Sequence, residues 1–375
     1  MKLMYIAPML HPVGGLERTL SDKANWLVEH GHDVMLLTYM QGEEQIYYQL
    51  HQSVRHIDIN CPTFKLYRYP LYVRLSQYRS LRCLFRQRFK EVLDDYLPDV
   101  IIITIPNTED FIHEIVDVAK GVKVVVESHL AGTHHMTGKP FTERMLCKLY
   151  PPIKSIRKVS LLIALTQEDA RFWLRKGLQR VVVIPNPLTC YKQNYDETVK
   201  EYGRIMAVGR LFEQKRFDRL IDAFALIAYK YPEWRLEIFG NGPLENKLLA
   251  QSNKHKLSNR ILIHPPTHSI YDEYQCSQFM VLSSDYEGFG LVIAEAMACG
   301  LPVVSTNCPY GPSEIIEDKV TGLLTKLNVQ DLADKMEWMI THPNERTLMG
   351  RQAHQSAGRY AQDVLMPQWL KAYQL

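Results

Sequence analysis

The amino-acid sequence predicts an α/β protein built from two doubly wound parallel-sheet domains. Three observations carry that expectation. Short apolar strands alternate with amphipathic helices through the first half of the chain. The pattern dissolves into polar residues at 189–203 and then resumes with the same period. The 375 residues also leave room for two domains of ordinary size.

The strands and helices follow in order. Lys2–Ala7 reads as a strand and Arg18–His30 as a helix stopped by Gly31, followed by strands at Asp33–Thr38, Val100–Thr104 and Val122–Glu127. Leu161–Leu165 ends at Thr166-Gln-Glu-Asp169, a capping pattern for the next helix, and Val181–Ile184 closes the half at Pro185-Asn186-Pro187. The second half opens with Arg204–Val208 as a strand and Phe217–Lys230 as a helix. Arg235–Phe239, a helix near Leu244–Ser252, Ile261–His264, Phe279–Ser283 and Val303–Ser305 continue it. The expected division is a first domain at 1–188, a linker at 189–203, a second domain at 204–357 and a terminal helix at 358–375. Two such domains place a cleft at the carboxyl ends of their strands, where ligands of these folds bind.

Composition excludes several classes. With 46% hydrophobic and 23% charged residues, the chain reads as globular. No apolar run is long enough to span a bilayer. The opening Met-Lys-Leu-Met-Tyr-Ile-Ala-Pro is broken by Pro8 and leads into a polar glycine loop, so it reads as a first strand, not a signal peptide. Seven scattered cysteines without a CxxC pair argue for reduced thiols in the cytoplasm and against a zinc site. The net charge of +3 is concentrated. Residues 65–90 carry eight Lys or Arg and no acid, interleaved with Tyr, Phe and Leu, and a second basic cluster spans 144–158. Such segments lie on an anionic membrane surface or form an ordinary solvated helix. No nucleic-acid motif accompanies them, so no nucleic-acid partner is expected.

The most informative stretch is Asp285-Tyr-Glu-Gly-Phe-Gly-Leu-Val-Ile-Ala-Glu-Ala-Met-Ala-Cys-Gly-Leu-Pro. It sets Glu287 before a glycine turn, at the positive end of a helix, and Glu295 inside that helix among Leu291, Val292, Ala298 and Cys299. Most helical glutamates face water, but an acid on an apolar face requires a polar partner. Upstream, Gly209-Arg210-Leu-Phe-Glu-Gln-Lys215 places a guanidinium and an ammonium in a loop before a helix, an arrangement suited to a diphosphate. Phe239-Gly240-Asn-Gly-Pro is a tight turn after the next strand. In the first half, Gly14 and Gly15 follow the first strand and permit close backbone approach, while His129 ends a valine-rich strand.

Together these segments resemble retaining glycosyltransferases of family 4, which have the GT-B architecture of two Rossmann-like domains facing a cleft. The resemblance is strong over 204–324 and weaker before it. It implies that Glu287 binds hydroxyls of the donor sugar and Glu295 the ribose of the nucleotide. Gly288, Phe289, Gly290 and Leu291 would offer backbone N–H groups to diphosphate and sugar, and Arg210 and Lys215 would neutralise the leaving diphosphate. Gly240 would sit beside base and diphosphate, Gly14 and Gly15 would face donor phosphate and acceptor, and His129 would touch the donor sugar. The terminal helix would cross back to the first domain.

The implied activity moves a hexose or N-acetylhexosamine from a nucleoside diphosphate sugar to a lipid-linked or membrane-proximal glycan acceptor in cell-envelope polysaccharide synthesis. The segment Cys308-Pro-Tyr-Gly-Pro-Ser-Glu314 is similar to members that use UDP-sugars. No Asp-x-Asp pair follows a strand, and no metal or other cofactor is expected. The basic segments imply peripheral association with the inner membrane face. A sugar-nucleotide epimerase, a phosphorylase and a catalytically silent sugar-nucleotide-binding scaffold share the same architecture and are the alternatives.

Overall fold

The computed structural model describes residues 1–63, 71–105, 111–130, 152–192 and 201–375, with backbone alone at 71–75. Two compact units emerge: Met1–Pro185 with Met366–Leu375, and Asn186–Leu365. The terminal segment therefore divides at Met366, with 358–365 remaining in the second unit.

The first unit holds strands β1 (Lys2–Ala7), β2 (Asp33–Thr38), β3 (Arg55–Asp58), β4 (Val100–Ile105), β5 (Lys123–Ser128), β6 (Leu161–Ala164) and β7 (Val181–Val183). They form one sheet in the order β3-β2-β1-β4-β5-β6-β7, with every neighbour parallel. Residues 3–7, all of β4 and all of β6 are buried, because a parallel sheet is covered on both faces by its crossover helices. These helices include α1 (Gly15–Glu29), α2 (Leu71–Tyr96), α3 (Ile112–Val118), α4 (Pro152–Ile156) and α5 (Gln167–Arg175). The Thr166 hydroxyl accepts the Asp169 N–H at 3.2 Å, capping α5 where the sequence pattern placed a cap.

The helix α2 turns part of the basic and aromatic segment inward. The aromatic residues interleaved in 65–90 are turned inward wherever they are described. Tyr78, Phe85 and Phe89 are buried, and Phe85 stacks on Phe111 with ring centroids 4.0 Å apart. Arg82 is buried and paired with Glu114, while Arg88 donates to the carbonyls of Ile59 (2.7 Å) and Asn60 (3.0 Å). The described aromatics and two of the arginines are thus structural. Arg79, Arg86 and Lys90 remain as an exposed stripe at helical spacing. Lys65, Arg68, Arg144, Lys148 and the side chain of Arg74 lie outside the described residues. Among the described residues, no helix is long and apolar enough to cross a membrane.

The second unit holds β8 (Arg204–Val208), β9 (Arg235–Phe239), β10 (Ile261–His264), β11 (Phe279–Leu282), β12 (Val303–Thr306) and β13 (Gly322–Thr325). Their order is β10-β9-β8-β11-β12-β13, again wholly parallel. Helices α6 (Phe217–Ala228), α7 (Glu245–Lys254), α8 (Ile270–Cys276), α9 (Leu291–Ala298), α10 (Pro312–Ile315), α11 (Val329–Thr341) and α12 (Pro343–Ala357) surround it. The last helix, α13 (Gln362–Gln374), carries the residues that return to the first unit. Trp369 and Tyr373 are fully buried there, and the Trp369 indole N–H donates to the Pro185 carbonyl at 2.9 Å.

Each sheet reverses its order once, between β1 and β4 and between β8 and β11. Doubly wound sheets bind ligands at that reversal, beyond the carboxyl ends of the strands.

Candidate active site

In the second unit the reversal brings together the loops after β8 and β11. Direct bonds fasten one to the other. Asp285 N donates to the Gln214 carbonyl (2.9 Å), the Gln214 amide donates to the Tyr286 carbonyl (2.8 Å), and the Ser283 hydroxyl donates to the Lys215 carbonyl (2.7 Å). Arg216 and Arg219 both pair with Asp285, anchoring the start of α6 to the same loop.

On that frame Lys215 Nζ lies 2.8 Å from Glu287 Oε1, and the side chains are only 14% and 8% exposed. Ser284 Oγ donates to the same oxygen at 2.6 Å. Both bonds end on Oε1, so Oε2 has no partner among the described residues. Arg210, in the same loop as Lys215, is exposed, its guanidinium 5.5 Å from the Phe212 ring. A fixed carboxylate oxygen and a sheltered ammonium meet at this strand end, with an exposed guanidinium in the same loop. They can bind hydroxyls and stabilise a leaving anion.

Glu295 is buried in α9, and the polar partner that its surroundings require is Tyr274 of α8, whose hydroxyl donates to Oε2 at 3.1 Å. Gly290 caps α9 with φ +91°, a left-handed conformation that a side chain would strain. Leu291 opens the helix and is half-buried, as is Gly288. The Phe289 side chain is buried against the Tyr360 ring, so only its backbone is available to a ligand. The Cys308–Glu314 loop lies directly against this turn. Pro309 accepts the Glu287 N–H at 3.2 Å, and a Cβ on Gly311 would collide with the Phe289 carbonyl. Gly240 has a similar packing reason, because a Cβ there would meet the Gly209 carbonyl. Its neighbour Phe239 stacks on His264 with centroids 4.7 Å apart.

In the first unit Gly14 and Gly15 begin α1, and the Glu17 carboxylate lies over Gly14. A carboxylate at this helix end competes with a phosphate and favours hydroxyl groups instead. His129 follows β5 with its side chain 3% exposed, and its Nε2 stands 2.9 Å from Glu127 Oε2. Glu127 also receives Lys23 Nζ on Oε1 at 2.6 Å and the Tyr373 hydroxyl on the same atom. Burial pushes the Glu127 carboxyl upward, but Lys23 and His129 outweigh it and hold it at about 2. Burial pulls Lys23 down to about 8, against the pull of Glu127, so the pair is ionised at neutral pH. Burial also lowers His129 from its usual value, leaving its ring neutral.

Several of these residues escaped the sequence reading. Ser284 is the second residue beyond β11, where a polar residue past a strand end was a usable signal. Lys23 interrupts the apolar stripe Leu20, Ala24, Leu27 of α1, a second one. Tyr274 and Tyr373 carry no local signal, since their contacts come from distant segments. Among the described residues, no group of three or more His, Cys, Asp or Glu is placed to hold a metal ion.

Comparison with known proteins bears on the family and the fold. Residues 194–356 match the family described as glycosyl transferases group 1, and residues 14–187 match the glycosyl transferase 4-like domain. An uncharacterised glycosyltransferase of Haemophilus influenzae is 24% identical over 370 residues, covering 98% of each chain. The amylovoran biosynthesis glycosyltransferase AmsD of Erwinia amylovora is also 24% identical, again over 98% of both chains. Among solved structures, HepE of Anabaena in complex with UDP and glucose superposes with a TM-score of 0.78 at 20% identity, covering 99% of this chain and 98% of that one. With the two family matches running nearly end to end across two parallel doubly wound sheets, the chain is an enzyme of the GT-B glycosyltransferases, with a group 1 carboxyl-terminal half and a 4-like amino-terminal half.

Proposed function

We propose that the protein is a retaining glycosyltransferase that moves a hexose or N-acetylhexosamine from a UDP-sugar to a lipid-linked glycan in cell-envelope polysaccharide synthesis. The observation that carries this reading is the Lys215–Glu287–Ser284 cluster at the reversal of the second sheet. Relatives named for amylovoran synthesis and for poly(ribitol-phosphate) α-N-acetylglucosaminyl transfer support the polymer class, and neighbours solved with UDP support the base.

In this reading Glu287 Oε2 accepts hydroxyls of the donor sugar, Glu295 accepts the ribose hydroxyls, and the backbone of 288–291 meets the diphosphate. As the bond from the anomeric carbon to the diphosphate breaks, its electron pair leaves with the diphosphate oxygen. Arg210 and Lys215 stabilise that negative charge while positive charge builds on the anomeric carbon and ring oxygen. The acceptor hydroxyl attacks the same face and gives its proton to the departing oxygen, so configuration is retained.

The exposed stripe Arg79, Arg86 and Lys90 is the surface assigned to anionic lipid. One experiment covers both claims: transfer from UDP-sugars to a lipid-linked acceptor in anionic vesicles, with the product anomer read by NMR. The expected product keeps the donor configuration, and Arg79→Glu/Arg86→Glu/Lys90→Glu slows transfer in vesicles but not to a water-soluble acceptor. An inverted anomer rules out the front-face reaction, and equal rates in vesicles remove the lipid-facing stripe.

A further inference from the structure

The strand β12 ends on Thr306, and the chain then turns through Cys308 and Pro309. β12 lies beside β11 in parallel, with Leu282 against Ser305, so Thr306 stands against the chain that leaves β11. Its hydroxyl donates to the Ser284 carbonyl at 2.7 Å, with the Leu282 carbonyl farther off at 3.4 Å. The Ser284 hydroxyl in turn donates to Glu287 Oε1 at 2.6 Å. Ser284 and Thr306 are wholly buried, where a hydrogen bond is stronger than in water.

A hydroxyl has one proton to give. That of Thr306 is committed to Ser284, so towards the Cys308 thiol, to which it is also bonded, Thr306 can only accept. The thiol is then the donor, and burial, which pushes it up to about 12, keeps its proton in place. Cys308 directly precedes Pro309, whose carbonyl accepts the Glu287 N–H at 3.2 Å. The loop after β12 therefore holds Glu287 twice, at its backbone and, through this chain of hydrogen bonds, at its carboxylate.

Two donors from different loops meet on Oε1: Ser284 from the loop after β11 and Lys215 from the loop after β8. A carboxylate with one partner can swing about it, whereas two partners fix its plane. We propose that Ser284 and Thr306, with Cys308 behind them, are positioning residues that hold Glu287 Oε1 and so present Oε2 to the donor sugar in a single orientation. They act through Glu287, and the proposal rests on the assignment of that residue to the sugar. Their effect belongs to the reaction and not to nucleotide binding, because a contact fixed before the substrate arrives lowers the barrier.

Steady-state kinetics with a UDP-sugar and calorimetry of UDP test this on the full chain. Ser284→Ala is expected to lower kcat about tenfold, the worth of one hydrogen bond, while UDP affinity stays within about twofold. Thr306→Val, which keeps the branched shape without the hydroxyl, lowers kcat about threefold, and Thr306→Ser, which keeps the hydroxyl, recovers it. In a Glu287→Ala background neither Ser284→Ala nor Thr306→Val adds a further loss. Equal losses in kcat and UDP affinity overturn the proposal, as does a full additional loss in the Glu287→Ala background. Wild-type kcat in both Ser284→Ala and Thr306→Val overturns it too, and the Thr306 pair decides the matter alone where Ser284→Ala does not fold. Glu287→Ala separates the two levels. If it keeps wild-type kcat, the fault lies in the assignment of Glu287 to the sugar; if it loses kcat while the other variants do not, the fault lies in the positioning roles.

Discussion

Exchanging Glu287 for alanine lowers kcat with the sugar nucleotide by about a hundredfold or more, while UDP affinity changes by less than about threefold. The geometry explains the asymmetry. Glu287 Oε1 holds Lys215 at 2.8 Å and Ser284 at 2.6 Å, so the carboxylate both offers Oε2 to the sugar and fixes the ammonium that meets the leaving diphosphate. Without it Lys215 loses its fixed position, and preorganised charge is what lowers the barrier. Ground-state nucleotide binding depends mainly on other groups, with Glu295 and the backbone of 288–291 assigned to it. Steady-state kinetics with calorimetry of UDP separates the two. An equal loss in kcat and in UDP affinity would falsify the sugar-specific role.

Lys23→Met destabilises the first unit by about 3–5 kcal/mol, because it strands a buried carboxylate rather than removing a pair. For a unit of this size that corresponds to a fall of roughly 10 °C in its thermal midpoint. Adding Glu127→Gln to Lys23→Met recovers part of the loss, since the remaining amide is neutral. The same pair sets an acid limit. Glu127 titrates near 4.5 in the unfolded chain and at about 2 when folded. A depressed carboxyl contributes stability that is full above its unfolded value and disappears as pH falls from about 4.5 towards 2. The contribution is about 3 kcal/mol. Calorimetric scans between pH 7 and pH 3 check it: if Lys23→Met unfolds at the wild-type temperature throughout, the pair contributes nothing to stability.

Much of this architecture was legible in the residues. Parallel strands buried on both faces read as unbroken apolar runs, which is why Val100–Thr104 and Leu161–Leu165 stood out, each within one residue of the observed strand. The strand Arg55–Asp58 did not, since an edge strand with partly exposed polar side chains has no apolar run to find. Glu287 and Glu295 were visible because their spacing about a glycine turn is local. Lys215 was visible as a candidate for the diphosphate, but its pairing with Glu287 and that of Tyr274 with Glu295 were not, since they meet only after the sheet order is fixed. The segment 65–90 was legible only in part. Its aromatic and basic residues alternate as on a membrane-surface helix, yet Phe85 and Phe89 are core residues and Arg82 is paired inside. Composition does not distinguish a face that meets lipid from one that meets Phe111.

The donor site in the second unit is tested most directly by titrating UDP into the wild type, Glu295→Ala and Tyr274→Phe in a calorimeter. Glu295 is assigned two ribose hydroxyls, and charged hydrogen bonds of that kind contribute about 1.5–3 kcal/mol. The expected result is binding of UDP to the wild type, at least about a tenfold loss in Glu295→Ala, and little change in Tyr274→Phe, where the carboxylate remains. Equal UDP affinity in the wild type and Glu295→Ala would contradict a nucleotide site built on this helix.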